Sequence, residues 1–325
     1  MYTRSAYSRM SVINRTSDMS IFPTPAELRC ALPFAASAKP WRLVRYACTD
    51  WLVIALCWVG MALVPHPVVY VAGVLMIAGR LQALGVILHD ACHLPSRRKT
   101  VPLAIVEVLA GWPIGSTIAA MRYHHLRHHR AVCTPEDPYL HRLAARGGWV
   151  KRAMMLRGAL LPIWWPLRAL TAPLALVWPA FRPWYARGFL QERSKRDLRH
   201  HPEIVACARN DLPHCVGYLI AIAVVLHWQL PFFAYYGLPW ILGGIMNANR
   251  VLIEHDHVLN GERSQEAVWA MTHTWHFGWL GKLVLFPRNI GFHQVHHVYP
   301  ALALEHLPAV HRHLLSRLQA SPAGI

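Results

Sequence analysis

Long apolar runs constrain the fold of this chain more than any other feature of its sequence. Of its 325 residues, 54% are hydrophobic and only 15% are charged. A helix rises about 1.5 Å per residue, so about 20 apolar residues cross the hydrocarbon core of a bilayer. Runs of about this length form two pairs, residues 46–64 with 67–88 and residues 213–230 with 231–248. The sequence therefore predicts an all-α integral membrane protein with four transmembrane helices in two hairpins.

Two further apolar stretches are expected to lie in the membrane interface. Residues 101–120 are long enough to cross, and residues 158–181 contain four prolines and Arg168, which disfavour a straight span. A single crossing by either stretch would place basic, histidine-rich segments on opposite sides of the membrane. Both stretches are therefore predicted to form interfacial helices.

The basic residues predict the orientation of the chain. Of 33 lysines and arginines, 19 fall between His89 and Leu212, and the turns that join the paired runs, near residues 65–67 and 228–231, carry none. Cytoplasmic loops are enriched in these residues, so both turns are predicted to face outward. We expect a multi-pass membrane protein with a histidine-rich cap and an active site on the cytoplasmic side.

The same pattern predicts a cytoplasmic tail over residues 1–45 and a membrane domain over residues 46–325. A net charge of +17 would also suit a nucleic-acid partner. The sequence contains neither a compact basic module nor a stacking motif of the nucleic-acid-binding classes. We therefore expect no nucleic-acid partner.

Histidines cluster next to the predicted cytoplasmic ends of the spans. HDACH has histidines at i and i+4, while HHLRHH and HQVHH each place three at i, i+3 and i+4. Residues at these spacings share one face of a helix, so each cluster directs its rings to one point. A further histidine in IEHDH follows the last span. The candidate metal ligands are His89, His93, His125, His128, His129, His255, His293, His296 and His297.

Nine imidazoles are too many for one metal ion but suit two ions with four or five ligands each. Nitrogen-rich ligation is typical of iron, copper, nickel or zinc. Two alternatives stay open, a pairing of His124 with His128 and a replacement of His255 by His257. Five further histidines are interpreted as interface residues, namely His273, His276, His306, His311 and His313.

Metal-bound histidines usually donate their second ring N–H to an acceptor that fixes the ring. The chain has only 16 acidic residues, yet several lie beside the clusters. Asp90, Glu254 and Asp256 are the main candidate acceptors. Glu136 and Asp137, which follow the second cluster, are further candidates.

The three clusters, in this order and between two hydrophobic hairpins, resemble the histidine boxes of membrane fatty acid desaturases. LRHHRAVCTPEDP and THTWHFGWLGKLVLFPRNIGFHQVHHVYP also resemble elements of that family, and His255 in IEH matches an additional ligand. The resemblance implies two Fe2+ ions held by the nine histidines, with O2 as co-substrate and a lipid or acyl chain as substrate. The HxxxH spacing of the first box is similar to that of acyl-lipid desaturases.

The resemblance also implies a separate electron-donor protein of the ferredoxin or cytochrome type, since the sequence lacks the haem-binding HPGG motif. Related enzymes hydroxylate lipids, alkanes or carotenoids or form ketones, and these activities stay as alternatives. A metal transporter is a third interpretation. Arg80, which lies inside a predicted span, is expected to extend towards the cytoplasmic surface, to pair with Glu107, or to contact a substrate head group.

Overall fold

The computed structural model describes residues 22–95, 99–132, 134–140, 148–259, 263–275 and 277–320. Within these residues the fold is helical, and extended pairing is confined to one isolated bridge between His255 and Thr272. The α-helices are α1 (Pro25–Ala31), α2 (Pro40–Leu63), α3 (Pro67–Cys92), α4 (Val101–Val106), α5 (Ile118–Ala131), α6 (Gly148–Leu156), α7 (Leu161–Val177), α8 (Arg182–Phe189), α9 (Pro202–His227), α10 (Leu238–Glu254), α11 (Gln265–Met271), α12 (Trp279–Val284), α13 (His293–Val298) and α14 (Leu307–Ala320).

Four described helices are long and apolar enough to cross a membrane, which confirms the predicted number but not every predicted position. Three are α2, α3 and α9. The fourth is the helical segment Arg152–Val177, which the sequence placed in the interface. The predicted span 231–248 is instead divided between a π-helical turn, Phe233–Gly237, and α10.

A sharp bend separates α4 from α5. The helical segments Val101–Ile114 and Ile118–Ala131 meet at an angle of 78°. Gly115 has a φ of 80° at the bend, and a Cβ there would lie 2.8 Å from the Cβ of Trp165. Only glycine adopts this backbone at no steric cost. The bend directs the second histidine cluster, on α5, towards the first.

Residues 22–36, which fall within the predicted tail, contain a capped helix and pack against the C-terminal part of the chain. Thr24 begins α1 with a capping box that includes Glu27. Leu28 and Phe22 are buried in an apolar cluster with residues of α13 and α14, and the Tyr299 hydroxyl donates a 2.7 Å hydrogen bond to the Pro23 carbonyl. Residues 22–36 therefore pack against the segment that carries the third histidine cluster.

Residues 148–212 contain a fully buried polar network that joins three helices to the bend. Arg168 on α7 donates to Asp211 on α9 at 2.7 Å, and the Tyr185 hydroxyl donates to the same carboxylate at 2.6 Å. Thr117, at the start of α5, donates to the other carboxylate oxygen at 3.0 Å. The burial cost of the Arg168 charge is thereby offset by a paired and hydrogen-bonded partner.

Candidate metal centre

Each histidine cluster lies on a helix end whose position follows from its local sequence. His89 and His93 occupy the last turn of α3 and its C-cap. Thr117 is the N-cap of α5, and its side chain accepts a hydrogen bond from the Ala120 amide. This cap fixes where the helix that carries the second cluster begins. The third cluster is carried by the short helix α13. The four chain segments converge, as the sequence predicted.

The position of His255 is set by backbone pairing. The Asp256 amide donates to the Met271 carbonyl at 3.1 Å, and the His273 amide donates to the Glu254 carbonyl at 2.9 Å. This pairing holds His255 in an extended conformation. His257, two residues on, has a φ of 56°, which ends the extended backbone, and its ring centroid lies 5.9 Å from that of His255. The structure thus favours His255 over His257.

Five histidines form one compact group, here called the five-histidine group. Their ligand atoms lie within 4.8 Å of one another. The Nε2 atom of His125 is 3.0 Å from that of His93 and 2.9 Å from that of His129, and the Nε2 atoms of His129 and His296 are 3.0 Å apart. The fifth member is His89, whose ring centroid is 4.2 Å from that of His125.

The other four ligands form the four-histidine group. The Nε2 atom of His255 lies 3.1 Å from that of His128 and 3.2 Å from those of both His293 and His297. The rings of His129 and His297 stack at 4.3 Å and join the two groups. The nine predicted histidines therefore lie close together: five have ligand atoms within 4.8 Å of one another, His128, His255 and His297 form a second such set, and His293 adjoins that second set.

The short distances between Nε2 atoms fit bound cations better than hydrogen bonds. A ring nitrogen carries either one proton or one lone pair, so the Nε2 atom of His255 cannot form good hydrogen bonds to three other nitrogens at once. Two nitrogen ligands at right angles, each about 2.1 Å from one ion, are about 3.0 Å apart. The observed spacings of 2.9 to 3.2 Å match that value.

Burial keeps these imidazoles in the form that binds metals. His296 is fully buried, and His293 is 4% exposed. Burial lowers the pKa of His293, His296, His297 and His255 well below the usual range for histidine. The rings are therefore neutral at neutral pH, with a lone pair available to a cation.

Acidic side chains contact two members of the four-histidine group. The Nδ1 atom of His128 lies 2.7 Å from Asp137, and that of His293 lies 3.7 Å from the buried Glu254. Asp256 instead contacts His273 at 2.6 Å and is half-exposed. Asp90 accepts a hydrogen bond from the Leu304 amide. Of the predicted acceptors, Asp137 and Glu254 thus face the centre.

The other histidines lie outside both groups wherever the structure describes them. His124 lies off the ligand face of α5, and its Nδ1 atom contacts the Tyr139 hydroxyl at 2.6 Å. His311 packs on Trp269 beneath α13, and His306 lies 3.5 Å from Glu305. His313 lies on α14, and His276 lies outside the described residues.

Arg80 pairs with a residue that the sequence analysis did not consider. Its Nη1 atom lies 3.1 Å from Asp50, a buried carboxylate on α2 that also contacts Arg288 at 2.6 Å. Glu107 pairs with Lys99 and accepts a 2.8 Å hydrogen bond from the Ile118 amide. Asp50, rather than Glu107, is therefore the partner of Arg80.

A cavity of about 180 Å³ adjoins both histidine groups. It runs from the histidines between α3, α10 and the α6–α7 segment, and its walls include Trp165, Trp240 and Gly243. Tyr139 also lines it and stacks on His128 at 4.4 Å. Neither Tyr139 nor the cavity was predicted from the sequence, although Tyr139 directly follows the acidic-proline element. The site can thus present an apolar chain to the metal ligands.

The desaturase resemblance is confirmed by comparison with known families. The family model described as fatty acid desaturase matches residues 65–325, most of the chain. The chain belongs to the fatty acid desaturase family. Membership makes it an oxidoreductase, and the four candidate spans agree with a membrane protein. A search of curated proteins found no match to this chain.

Proposed function

We propose that this protein is an O2-dependent desaturase that introduces a double bond into a lipid acyl chain at two histidine-held iron ions. The observation that supports this most directly is the division of nine histidines into groups of five and four beside a cavity, in a chain of the desaturase family. The overall reaction converts R–CH2–CH2–R′, O2, two electrons and two protons into R–CH=CH–R′ and two water molecules.

The histidine Nε2 atoms would hold the iron, which supplies the oxidising power that an unactivated C–H bond requires. The residues around them keep the rings in place. Asp137 accepts the Nδ1 proton of His128 at 2.7 Å, which leaves Nε2 as the lone-pair nitrogen. The Val251 carbonyl performs the same role for His255 at 3.2 Å. Each of these contacts fixes one tautomer and one ring orientation.

The cavity would select the carbon that reacts. An alkyl chain has no charge or dipole to orient it, so its position depends on the shape of the surrounding walls. The walls contact histidines of both groups, including His89 and His128. A chain that fills this space would hold a single pair of carbons next to the metals and exclude water from them.

The electrons would come from a separate protein, of the ferredoxin or cytochrome type, that docks on the cytoplasmic side. The chain carries a net charge of +17 and no haem-binding HPGG motif. An acidic donor would be attracted to such a basic chain, with an association rate that falls as salt rises.

The same scaffold supports two alternatives. A hydroxylase or ketolase would use the same histidines and cavity on a lipid, alkane or carotenoid, and its product gains oxygen instead of losing two hydrogens. A metal transporter has less support, because transport sites lie near the bilayer midplane, whereas these ligands gather at helix ends next to a cavity suited to an apolar chain.

Expression in a host of defined lipid composition tests the proposal. Lipid and pigment mass spectrometry should show a new species lighter by two hydrogens, absent from cells with His296→Ala. His227→Ala is the matched control, because His227 is exposed at the far end of α9, and it should retain the product. A product that has gained oxygen would show hydroxylation or ketone formation instead of desaturation. The absence of any new product would contradict both the desaturase and the hydroxylase or ketolase.

A further inference from the structure

One wall of the cavity carries a positive charge beside the histidines. Several α10 residues that line the cavity recur at helical spacing and so share one face of the helix, namely Gly243, Asn247, Arg250 and Glu254. The Nε atom of Arg250 is 3.4 Å from one oxygen of Glu254, and the other oxygen is 3.7 Å from His293. A single side chain therefore separates this guanidinium group from the four-histidine group.

The terminal nitrogens of Arg250 are the part of the guanidinium group that remains open to the cavity. The side chain is 12% exposed. The Nε atom is fully buried, whereas Nη1 and Nη2 retain accessible surface and have no hydrogen-bond acceptor among the described residues. Because Arg250 lines the cavity, these two nitrogens present up to four N–H donors and a positive charge to whatever fills it.

The neighbouring residues make this wall suited to an anion. Asn247, on the same face of α10 as Arg250, has an accessible side-chain amide that makes no hydrogen bond to the described residues. Arg157, an exposed residue, lines the same cavity. Against these two cations, Glu254 is the one acidic side chain among the described residues that line the cavity. An uncharged alkyl chain would remove water from the guanidinium group without replacing its hydrogen bonds, which disfavours binding.

We propose that the cavity binds a lipid chain that carries an anionic oxygen group, a carboxylate or a phosphate, and that this group accepts hydrogen bonds from Nη1 and Nη2 of Arg250. Guanidinium groups bind such oxygens through two parallel hydrogen bonds, and the pairing compensates both charges away from water. This inference rests on the proposed function for the role of the histidines. It deepens that proposal by naming the substrate class as an ionised lipid instead of an uncharged chain.

Competition against a photoreactive hydrocarbon tests the inference by binding alone. The full-length protein in nanodiscs of zwitterionic lipid is labelled with an alkyl diazirine, without O2 or reductant, at about pH 9, where carboxylic acids are ionised. Labelled peptides are mapped by mass spectrometry. The competitors are dodecanoate against methyl dodecanoate, and dodecyl phosphate against dodecyl dimethyl phosphate, at equal measured concentrations in the bilayer. Each pair differs in charge, and the pair with the larger difference distinguishes a carboxylate from a phosphate.

The charged member of at least one pair should compete about tenfold better than its neutral ester in the wild-type protein. In Arg250→Met this preference should fall to about one, with competition by the neutral esters unchanged. Arg209→Met is the matched control, because it removes the same charge from an exposed position on α9 that does not line the cavity. It should keep the wild-type preference.

A high-salt measurement separates the cavity from the basic surface of the protein. At about 1 M salt, charges at the surface are screened beyond about 3 Å, whereas a contact inside a cavity is screened much less. The preference of the wild-type protein for the charged competitor should therefore persist at this salt concentration.

Equal competition by both members of both pairs in the wild-type protein would overturn the inference, because water would then satisfy Arg250. A preference that persists in Arg250→Met, or that disappears at high salt, would also overturn it. The wild-type and salt comparisons hold even if Arg250→Met fails to fold. A preference for the anion without any oxidised product would contradict the proposed function and leave this inference standing, and a product without that preference would do the reverse.

Discussion

At the scale of single residues, hydrogen bonds to the second ring nitrogens of His128 and His255 orient the nitrogens that these two rings offer to a metal. Asp137 provides the clearest case, because its carboxylate lies 2.7 Å from His128 and is 2% exposed. The same carboxylate also accepts a 2.8 Å hydrogen bond from the Tyr139 amide. The loop after α5 is thereby attached to the four-histidine group.

Asp137→Asn should reduce iron affinity or turnover by about 10- to 100-fold, because the amide cannot accept the Nδ1 proton as a carboxylate does. Iron content by plasma mass spectrometry and product formation in isolated membranes measure the effect. Asp256→Asn serves as the control, since Asp256 is half-exposed and pairs with His273. Equal iron content and turnover in both variants would remove Asp137 from this role.

Sequence spacing predicted which histidines share a face, because the helical repeat fixes the side-chain direction. Spacing could not choose between His255 and His257, since the choice depends on a positive φ at His257 and on the pairing of His255 with Thr272. Nor could it choose among the acidic residues. Asp137 and Asp256 both adjoin a cluster in sequence, and only the tertiary fold brings one of them to it.

At the scale of elements, one carboxylate joins α2 and α3 to the segment before the third histidine cluster. Asp50 on α2 is 1% exposed and contacts both Arg80 on α3 and Arg288 in the loop before α13. Arg288 also lies over the Tyr46 ring at 4.3 Å. This arrangement sets the position of α13 relative to α3, which carries His89.

Asp50→Asn should lower the free energy of unfolding by about 3 to 5 kcal/mol, because it leaves two arginines without their buried counterion. Arg288→Gln should cost less than half as much, since the Asp50–Arg80 pair remains. Denaturant unfolding in detergent, followed by circular dichroism, measures both variants. An equal loss in the two would show that Asp50 is not the shared partner.

Close backbone contact between α10 and the start of α7 forms one wall of the cavity. A Cβ on Gly158 would fall on the Gly244 carbonyl, and both glycines line the cavity. Gly158→Ala should therefore lower the free energy of unfolding by at least about 2 kcal/mol and reduce labelling of the cavity by a photoreactive alkyl diazirine. Gly60→Ala, inside α2 with no neighbour within 4 Å, should leave the free energy of unfolding equal to that of wild type or higher by up to about 1 kcal/mol, because alanine favours a helix more than glycine does. Similar stabilities for the two variants would contradict the close approach.

Apolar length predicted α2, α3 and α9, since a membrane span needs a minimum number of apolar residues. It could not predict how the spans pair or where interruptions fall. The π-helical turn at residues 233–237 and the bend at Gly115 both depend on packing against other helices. Prolines likewise did not prevent a continuous helical segment over Arg152–Val177, because Pro166 and Pro173 are accommodated inside α7.

At the scale of the whole molecule, chain segments that are distant in sequence close around one centre. The nine candidate histidine ligands lie on α3, α5 and α13 and directly after α10. Residues 22–36 pack against the outer side of α13. Buried ion pairs at Asp50 and Asp211 hold the supporting helices. The centre is therefore a property of the tertiary fold, and each histidine group draws on at least three segments.

The central claim is that nine histidines hold two metal ions, one in each group. Iron per chain in purified protein, measured by plasma mass spectrometry with protein quantified by amino-acid analysis, tests it most directly. We expect about two irons per chain in the wild-type protein, and about one in both His125→Ala and His255→Ala, with none in the double variant. One iron or none in the wild-type protein would contradict the claim. The claim would also be contradicted if the double variant kept the same one iron per chain as each single variant, because both substitutions would then affect one site.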